Sequence, residues 1–313
     1  MPAAWITVLF LTGLAVKILV SWFVVRSLIN TYIGSFTEAG ALAALEKMLV
    51  AGYSVTSNPL GEAVRDKASI AEILRNYCRH IQELGALKRR YPDREVSIAI
   101  KPSQFGAKIN QAHFAYYARY LCSVAIVKNV FVWFDAEKLE DRSLVVSALL
   151  LLVKKKRRNF GLALQSAHSD ASGVLDQLVS HGIAVRIVKG AYRDGDLKNS
   201  QDISSNFLEL YRQAKKNHEQ PGRIAIGTCD SLILDQLNDR DIQHQFLFGV
   251  RSKLQEEYLA RGRDVLIYVP WGSFKDARGF FFRRLREGIK IGMLITFVRN
   301  IFEARQFRRK YGI

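Results

Sequence analysis

Short apolar runs rich in β-branched residues alternate along the chain with longer segments in which apolar residues recur every three or four positions. The short runs predict buried strands, and the three- and four-residue spacing predicts amphipathic helices. The predicted strands are Tyr53–Thr56, Val96–Ile100, Val130–Phe134, Leu162–Leu164, Val185–Val188, Ile224–Ile226, Gln245–Phe248 and Val265–Tyr268. The predicted helices are Ile70–Leu84, Gln111–Val124, Arg142–Lys155, Val174–His181, Asn206–Lys216, Ser231–Leu237 and Lys253–Ala260.

Eight strand–helix units in succession favour a parallel sheet that is buried on both faces. Eight is also the number of strands that closes a (β/α)₈ barrel, the TIM-like fold. The main alternative is an open doubly wound sheet, but no G-x-G-x-x-G pattern follows the first strand, so the phosphate-binding turn of that fold is missing. We therefore expect an α/β chain with a TIM-like barrel over residues 46–313 and an N-terminal apolar helical arm over residues 1–45.

The arm begins with an almost wholly apolar stretch, Trp5–Val25, which one charged residue, Lys17, interrupts. A stretch of this length can span a bilayer, and Arg26 behind it would then keep the rest of the chain in the cytoplasm. Because Lys17 is costly in lipid at mid-stretch, we favour a helix that packs on the barrel or lies at the membrane interface. The expected location is cytoplasmic, with peripheral contact at the inner face of a membrane.

The formal net charge of the 313 residues is +17, which favours anionic partners. The sequence has no zinc finger, RNP-type aromatic strand or basic zipper, so nucleic acid is not expected as a partner. Weak contact with an anionic membrane surface is expected instead. Three widely separated cysteines without a C-x-x-C pair argue against a disulfide framework and against a structural zinc site.

Polar residues follow most of the predicted strands, and in a barrel all of these strand ends surround one mouth, where active sites lie. The residues at the strand ends are Lys101, Asp135, Gln165, Lys189, Thr228 and Tyr268. Lys101 and Lys189 are each candidates for a Schiff-base nucleophile or for a cation that holds an anionic ligand. Asp135 and Glu137 form a carboxylate pair without histidine ligands, so no metal is expected. His168 is interpreted as a polar surface residue.

The segment Arg186–Tyr192, with the sequence RIVKGAY, resembles the most recognisable motif of the proline dehydrogenases. Further matches to that family follow in the same order along the chain at Leu60–Glu62, Ile100–Lys101, Asp135–Glu137, Leu164–Ser166, Leu247–Arg251, Tyr268–Gly272 and Arg283–Glu287. The resemblance extends from Gly40 to Glu287. It implies a distorted (β/α)₈ barrel with non-covalent FAD at its mouth. It also implies oxidation of L-proline to 1-pyrroline-5-carboxylate by hydride transfer to the flavin, with a membrane quinone as the electron acceptor.

By matched position, the resemblance implies that Arg186 and Gln165 contact the flavin. Lys189 and Thr228 would lie near the flavin or its phosphates. The other residues that the resemblance places at the cofactor are Val188, Gly190, Ala191, Cys229 and Asp230.

The resemblance also implies a substrate site. Asp135 would shape it, and Lys101 would pair with the substrate carboxylate. The other residues with an implied substrate role are Arg283 and Arg284 at the carboxylate, Tyr268 against the proline ring, Tyr192 as a closing residue and Glu287 as the partner of an arginine. These residue types suit the chemistry, because a buried carboxylate needs cations with directed N–H donors.

Three departures mark the chain as a divergent member. Thr228–Asp230 reads Thr-Cys-Asp where the family usually has histidine in the middle. Gly288–Lys290 replaces a segment that often holds Pro and Asn, and Arg193 stands where some members have an aromatic ring. Two other functions remain open from the residues alone: a Schiff-base lyase or aldolase that uses Lys101 or Lys189, and a barrel scaffold without catalysis.

Overall fold

A computed structural model describes residues 26, 28–61, 64, 66–154, 159–190, 194–217, 224–237, 239, 241–278 and 294–313. Within these residues the helices and strands follow one another as α1 (Glu38–Val50), β1 (Ser54–Pro59), α2 (Lys67–Arg90), β2 (Val96–Ile100), α3 (Gln111–Val127), β3 (Phe131–Phe134), α4 (Leu139–Lys154), β4 (Phe160–Gln165), α5 (Ala171–Val179), β5 (Ala184–Val188), α6 (Ser200–Asn217), β6 (Ile224–Gly227), α7 (Ser231–Leu234), β7 (Gln243–Leu247), α8 (Ser252–Ala260), β8 (Asp264–Trp271) and α9 (Leu294–Tyr311). A short 3-10 turn, Pro102–Gln104, follows β2.

The eight strands form a closed parallel barrel in chain order, and β8 pairs with β1 to complete it. In the register of the last junction, Ser54 lies opposite Leu266 and Pro59 lies opposite Trp271. The predicted TIM-like fold is confirmed, and each predicted strand overlaps one strand of the barrel. Because the strands are parallel and their order is sequential, their carboxyl ends converge on one mouth.

Alternation along the strands separates an apolar outer face from a polar barrel interior. On β5, Val185 and Ile187 belong to the large apolar cluster that the strands share with the helices. Arg186 lies between them and points the other way, since its guanidinium contacts Trp133 of β3 and Tyr268 of β8. The two-residue period of a strand therefore places one charged side chain inside the barrel between two apolar anchors.

A hydrogen-bonded chain crosses the barrel interior below Arg186. The carboxylate of Glu95 accepts from Trp133 Nε1 at 3.0 Å and from Gln243 Nε2 at 3.0 Å. Gln243 Oε1 in turn accepts from Gln245 Nε2 at 2.7 Å. Burial raises the pKa of Glu95, and the donated hydrogen bonds oppose that shift. This network of hydrogen bonds connects the amino-terminal end of the barrel with the residues that support its mouth.

Residues 28–36 and α9 close over one side of the barrel. Gly34 N donates to Pro270 O at 2.8 Å, and Ser35 forms an isolated parallel bridge with Trp271. Arg308 of α9 donates from Nη1 to Ile33 O at 2.9 Å, which ties the two segments together. Gly249 has a φ of +75° and lies so close to Thr31 that a Cβ would stand 1.7 Å from Thr31 O, so a side chain at this position would displace the segment.

The membrane expectations concern residues at the edge of the described chain. Trp5–Val25, the apolar part of the expected arm, lies outside the described residues. Within the residues that are described, no helix combines the length and the apolar character that a bilayer crossing requires.

Candidate active site

Arg186 lies at the centre of the barrel mouth, where the carboxyl half of β5 faces the interior. Its side chain is 6% exposed, and Nη2 donates to Asp135 Oδ1 at 2.6 Å. Nη1 donates to Gln245 Oε1 at 3.1 Å. The guanidinium carbon also lies 5.2 Å from the centre of the Trp133 ring and 5.4 Å from the centre of the Tyr268 ring. These contacts fix the guanidinium plane, because a forked donor between aromatic faces has little freedom to rotate.

The second oxygen of Asp135 connects two further strands. Tyr268 donates its phenol hydrogen to Asp135 Oδ2 at 2.6 Å, and Lys101 Nζ lies 3.9 Å from the same oxygen. Burial raises the pKa of Tyr268 well above its ordinary value, and the charge of Asp135 raises it further. The phenol therefore stays protonated and acts as a donor. Asp135 joins β2, β3, β5 and β8 through one carboxylate.

The two lysines at strand ends both lie among oxygen atoms. Lys101 Nζ donates to Asn58 Oδ1 and approaches Pro59 O at 3.5 Å. Lys189 Nζ donates to Asp230 Oδ2 at 2.6 Å. A Schiff-base lysine needs a neutral amine, which an apolar pocket favours and a nearby carboxylate disfavours. Asp135 and Asp230 lie beside these amines, so neither lysine has the apolar surroundings of a Schiff-base lysine.

A second cluster lies at the ends of β5 and β6. Asp230 N donates to Thr228 Oγ1 at 3.1 Å, and Asp230 Oδ1 caps α7 by accepting from Leu232 N at 3.0 Å. The Cys229 carbonyl accepts from Arg251 Nη1 at 3.2 Å. Burial raises the pKa of the Cys229 thiol, so the sulfur is a neutral group and not a thiolate at neutral pH.

The backbone that follows β5 pairs with the backbone that follows β4. Val188 O accepts from Ser166 N at 2.8 Å, and Lys189 O accepts from Ala167 N at 3.0 Å. Gly190 follows with a φ of +111°, a conformation that residues with a Cβ rarely adopt. The hydrogen bonds between these two segments therefore continue past the strand ends as far as Lys189.

Gln165 and Glu137 form a third cluster at the ends of β4 and β3. The carboxylate of Glu137 accepts from Ser103 N at 2.7 Å and from Ser103 Oγ at 2.8 Å. Gln165 Nε2 donates to Glu137 O at 3.2 Å, and its Oε1 lies 2.9 Å from His168 Nε2. His168 is 2% exposed, so the interpretation of His168 as a surface residue is wrong. The loop after β4 folds back over the barrel end and buries the imidazole.

A family model described as "Proline dehydrogenase" matches residues 41–219 of the chain. The chain belongs to the proline dehydrogenase family. The predicted family membership is confirmed, and with it the prediction that the chain is an enzyme of this family.

Two bacterial proline dehydrogenases are similar to this family member. Proline dehydrogenase 2 of Bacillus subtilis (strain 168) is 27% identical over 251 residues, which cover 75% of this chain and 78% of the relative. Proline dehydrogenase of Deinococcus radiodurans is 29% identical over 116 residues, which cover 33% of this chain and 36% of the relative.

Among solved structures, proline utilization A from Bdellovibrio bacteriovorus, inactivated by N-propargylglycine, superposes with a TM-score of 0.76 at 18% identity. The superposition covers 85% of this chain and 33% of that protein, so the chain spans about a third of the length of its structural relative. At this identity the likeness concerns the fold, and it agrees with the closed barrel of this family member.

The structure brings together most of the site residues that the sequence predicts for this proline dehydrogenase family member. Described residues at the mouth are Lys101, Asp135, Gln165, Arg186, Val188, Lys189, Gly190, Thr228, Cys229, Asp230 and Tyr268. The predicted residues Ala191, Tyr192, Arg283, Arg284 and Glu287 lie outside the described residues. Their roles remain predictions from the resemblance.

Three residues that support the site were not predicted from the sequence. Asn58 at the end of β1 accepts from Lys101, Gln245 of β7 accepts from Arg186 across the barrel, and Trp133 lies beside the guanidinium. One signal was available, because Gln243 and Gln245 are polar at two-residue spacing in β7 and are both buried. Such spacing in a barrel strand indicates side chains that face the interior.

Proposed function

We propose that this enzyme oxidises L-proline to 1-pyrroline-5-carboxylate and uses FAD as the hydride acceptor. The observation that carries the proposal is the cluster of Arg186, Asp135, Tyr268 and Lys101, which four strands of a proline dehydrogenase family barrel bring to one mouth. A buried cation, a protonated phenol and a lysine suit a flavin and a small amino acid. The cluster offers no acid–base pair of the kind that hydrolysis would need.

The donors at the mouth fit an acceptor-rich cofactor. Arg186 uses one N–H for Asp135 and one for Gln245, and a guanidinium carries further donors. Lys189 adds a cation at the rim, 27% exposed, beside the positive-φ turn at Gly190. A flavin ring with carbonyl and nitrogen acceptors, followed by a diphosphate, needs donors of this kind. Arg186 and Gln165 would hold the ring, and Lys189 with Thr228 would lie towards the phosphates.

Bound FAD supplies an acceptor for the hydride that leaves the ring carbon next to the proline nitrogen. Loss of the hydride from the neutral amine leaves a protonated imine, which releases a proton to give the product. Lys101 would hold the substrate carboxylate, together with Arg283 and Arg284, and Tyr268 would pack against the ring. These residues orient the reacting carbon and exclude water, which is the main contribution of a protein to hydride transfer.

The visible spectrum of the purified protein tests this function. The protein reconstituted with FAD is expected to show the absorption of oxidised flavin, and L-proline added without oxygen is expected to bleach it. D-proline at the same concentration serves as the control for a specific site. Protein that takes up no FAD, or flavin that L-proline leaves oxidised, would contradict the proposal. In that case, borohydride trapping of a keto substrate on Lys101 or Lys189 would support the lyase alternative.

We also propose that the electrons pass to a membrane quinone and that the N-terminal arm holds the enzyme at the inner face of a membrane. The apolar stretch Trp5–Val25 and the net charge of +17 support peripheral binding to anionic lipid. Deletion of residues 1–26 is expected to abolish sedimentation with vesicles that contain anionic lipid, while neutral vesicles serve as the control. Full-length protein that stays in the supernatant with anionic vesicles would contradict the membrane proposal.

A further inference from the structure

The side-chain amide of Gln165 is held from two sides, and its orientation follows from the chemistry of its partners. One amide atom lies 3.2 Å from the backbone carbonyl oxygen of Glu137, which can only accept a hydrogen bond. That amide atom must therefore be the nitrogen. The amide oxygen then lies 2.9 Å from His168 Nε2, and this contact requires a hydrogen on Nε2.

The backbone that carries His168 is anchored to α6. Asn206 Nδ2 donates to Ser166 O at 2.8 Å and to His168 O at 3.1 Å. Ser166 Oγ donates to Ile203 O at 3.0 Å. Glu137 on the other side is fixed by its two hydrogen bonds from Ser103. Hydrogen bonds thus hold the segments that carry both partners of the Gln165 amide.

The other imidazole nitrogen lies at a small buried cavity. His168 Nδ1 and Arg142 Nη1 are buried without a hydrogen-bond partner among the described protein atoms. Both residues line a cavity of about 30 Å³ between α4 and β4. A cavity of this size has room for ordered water, which is able to accept from Arg142 and to donate to Nδ1. Asp196 Oδ1 also lies 3.9 Å from Nδ1, so the hydrogen on Nε2 follows from the contact with Gln165 and not from the surroundings of Nδ1.

We propose that His168 is a positioning residue that sets the polarity of Gln165. With the amide oxygen held by His168, one amide hydrogen goes to Glu137 O, which leaves the second for a ligand at the carboxyl end of β4. The mouth therefore receives an N–H donor at this position, where a flipped amide would offer a carbonyl oxygen. This inference rests on the proposed flavin function, because the acceptors of a flavin ring require a donor there.

Replacement of His168 by phenylalanine tests the inference, because it keeps a ring and removes the Nε2 donor. The dissociation constant of FAD, measured by fluorescence titration of the apoprotein, is expected to rise about tenfold, the usual effect of one lost hydrogen bond. His168→Gln places an amide nitrogen near the position of Nε2 and is expected to restore binding. His168→Asn reaches only the Nδ1 position and is expected to behave like the phenylalanine variant.

A double-mutant cycle separates positioning from a structural role. In a Gln165→Leu background, His168→Phe is expected to change the affinity for FAD no further, since the amide that His168 orients is gone. Three results would each overturn the inference. The first is an equal loss of FAD affinity from His168→Phe in both backgrounds, and the second is an equal loss in all three His168 variants. The third is wild-type FAD affinity in His168→Phe.

A measurement on the apoprotein keeps this test distinct from the proposed function. Nitrogen-15 NMR of the imidazole is expected to show the Nε2–H tautomer of His168, and the resonance is assigned by its loss in His168→Gln. The Nδ1–H tautomer would overturn the inference whether or not the protein binds FAD. Failure of the wild-type protein to bind FAD, with the Nε2–H tautomer present, would instead overturn the proposed function and the flavin-directed role of His168 together.

Discussion

Replacing Arg186 by methionine is expected to remove most bound FAD and to lower kcat/KM for proline by two to three orders of magnitude. The substitution deletes the donors that we propose for the cofactor and leaves Asp135, whose side chain is 15% exposed, without its closest cation. Breaking a buried ion pair on one side typically costs about 3–5 kcal/mol, and each 1.4 kcal/mol is about tenfold. Flavin content per chain and steady-state kinetics measure the two effects.

Two matched variants make the Arg186 experiment specific. Arg186→Lys keeps the charge but loses the forked donors, so we expect Asp135 to stay paired while FAD affinity recovers only in part. Arg212→Met removes an exposed arginine on α6 and is expected to match the wild type. Wild-type flavin content in Arg186→Met would assign Arg186 to the barrel interior alone and would remove it from the proposed cofactor site.

Asp135→Asn is expected to have the second large effect, on both stability and activity. The amide keeps the shape of the carboxylate, but Arg186 and Lys101 lose the negative charge that lies between them. Loss of a buried counter-ion is expected to lower the free energy of unfolding by about 3–5 kcal/mol. We also expect kcat/KM for proline to fall at least about tenfold, because both cations then shift from their positions. Denaturant unfolding and steady-state kinetics measure these changes.

Tyr268→Phe provides the control for Asp135→Asn, because it removes one hydrogen bond to the same carboxylate and leaves both cations paired. Its cost in unfolding free energy is expected to be smaller, about 1.5–3 kcal/mol for a hydrogen bond to a charged group. The pKa of Tyr268 gives an independent readout, since the charge of Asp135 helps to raise it. In Asp135→Asn that pKa is expected to fall, and an unchanged phenol titration would contradict the assigned contact.

The sequence predicts the barrel well because apolar strands and amphipathic helices differ in period. β2 matches its predicted bounds, since Val96–Ile100 is a continuous buried run. β7 spans Gln243–Leu247 and so begins two residues before its predicted start at Gln245. The prediction missed these two residues because Gln243 and His244 are polar and yet buried. Gln243 bonds with Glu95 and Gln245 in the barrel interior, and His244 packs against Tyr258 of α8. A pattern that equates burial with apolar character misses both residues.

The sequence predicts that the residues at the strand ends converge, but it does not predict which hydrogen-bond and ion-pair partners they contact. Lys101, Asp135, Arg186 and Tyr268 follow from the position of each strand end and from the family motif. Which oxygen each cation contacts depends on strand register and on how the loops fold, and neither is local in the sequence. His168 illustrates the limit, because a polar residue three positions after a strand end looks exposed until the loop is seen to fold back.

The junction between β1 and β8 has a consequence for how the chain is made. Synthesis runs from the amino end, so β1 leaves the ribosome long before its neighbour β8 exists. Until then β1 has an unpaired edge of backbone donors and acceptors, which is a hazard for aggregation. The segment 28–36, which bonds to Pro270, Trp271 and Arg308, must also wait for these late residues. Nascent chains therefore depend on protection of their first strand, and stalled synthesis before β8 is expected to yield chains that chaperones retain.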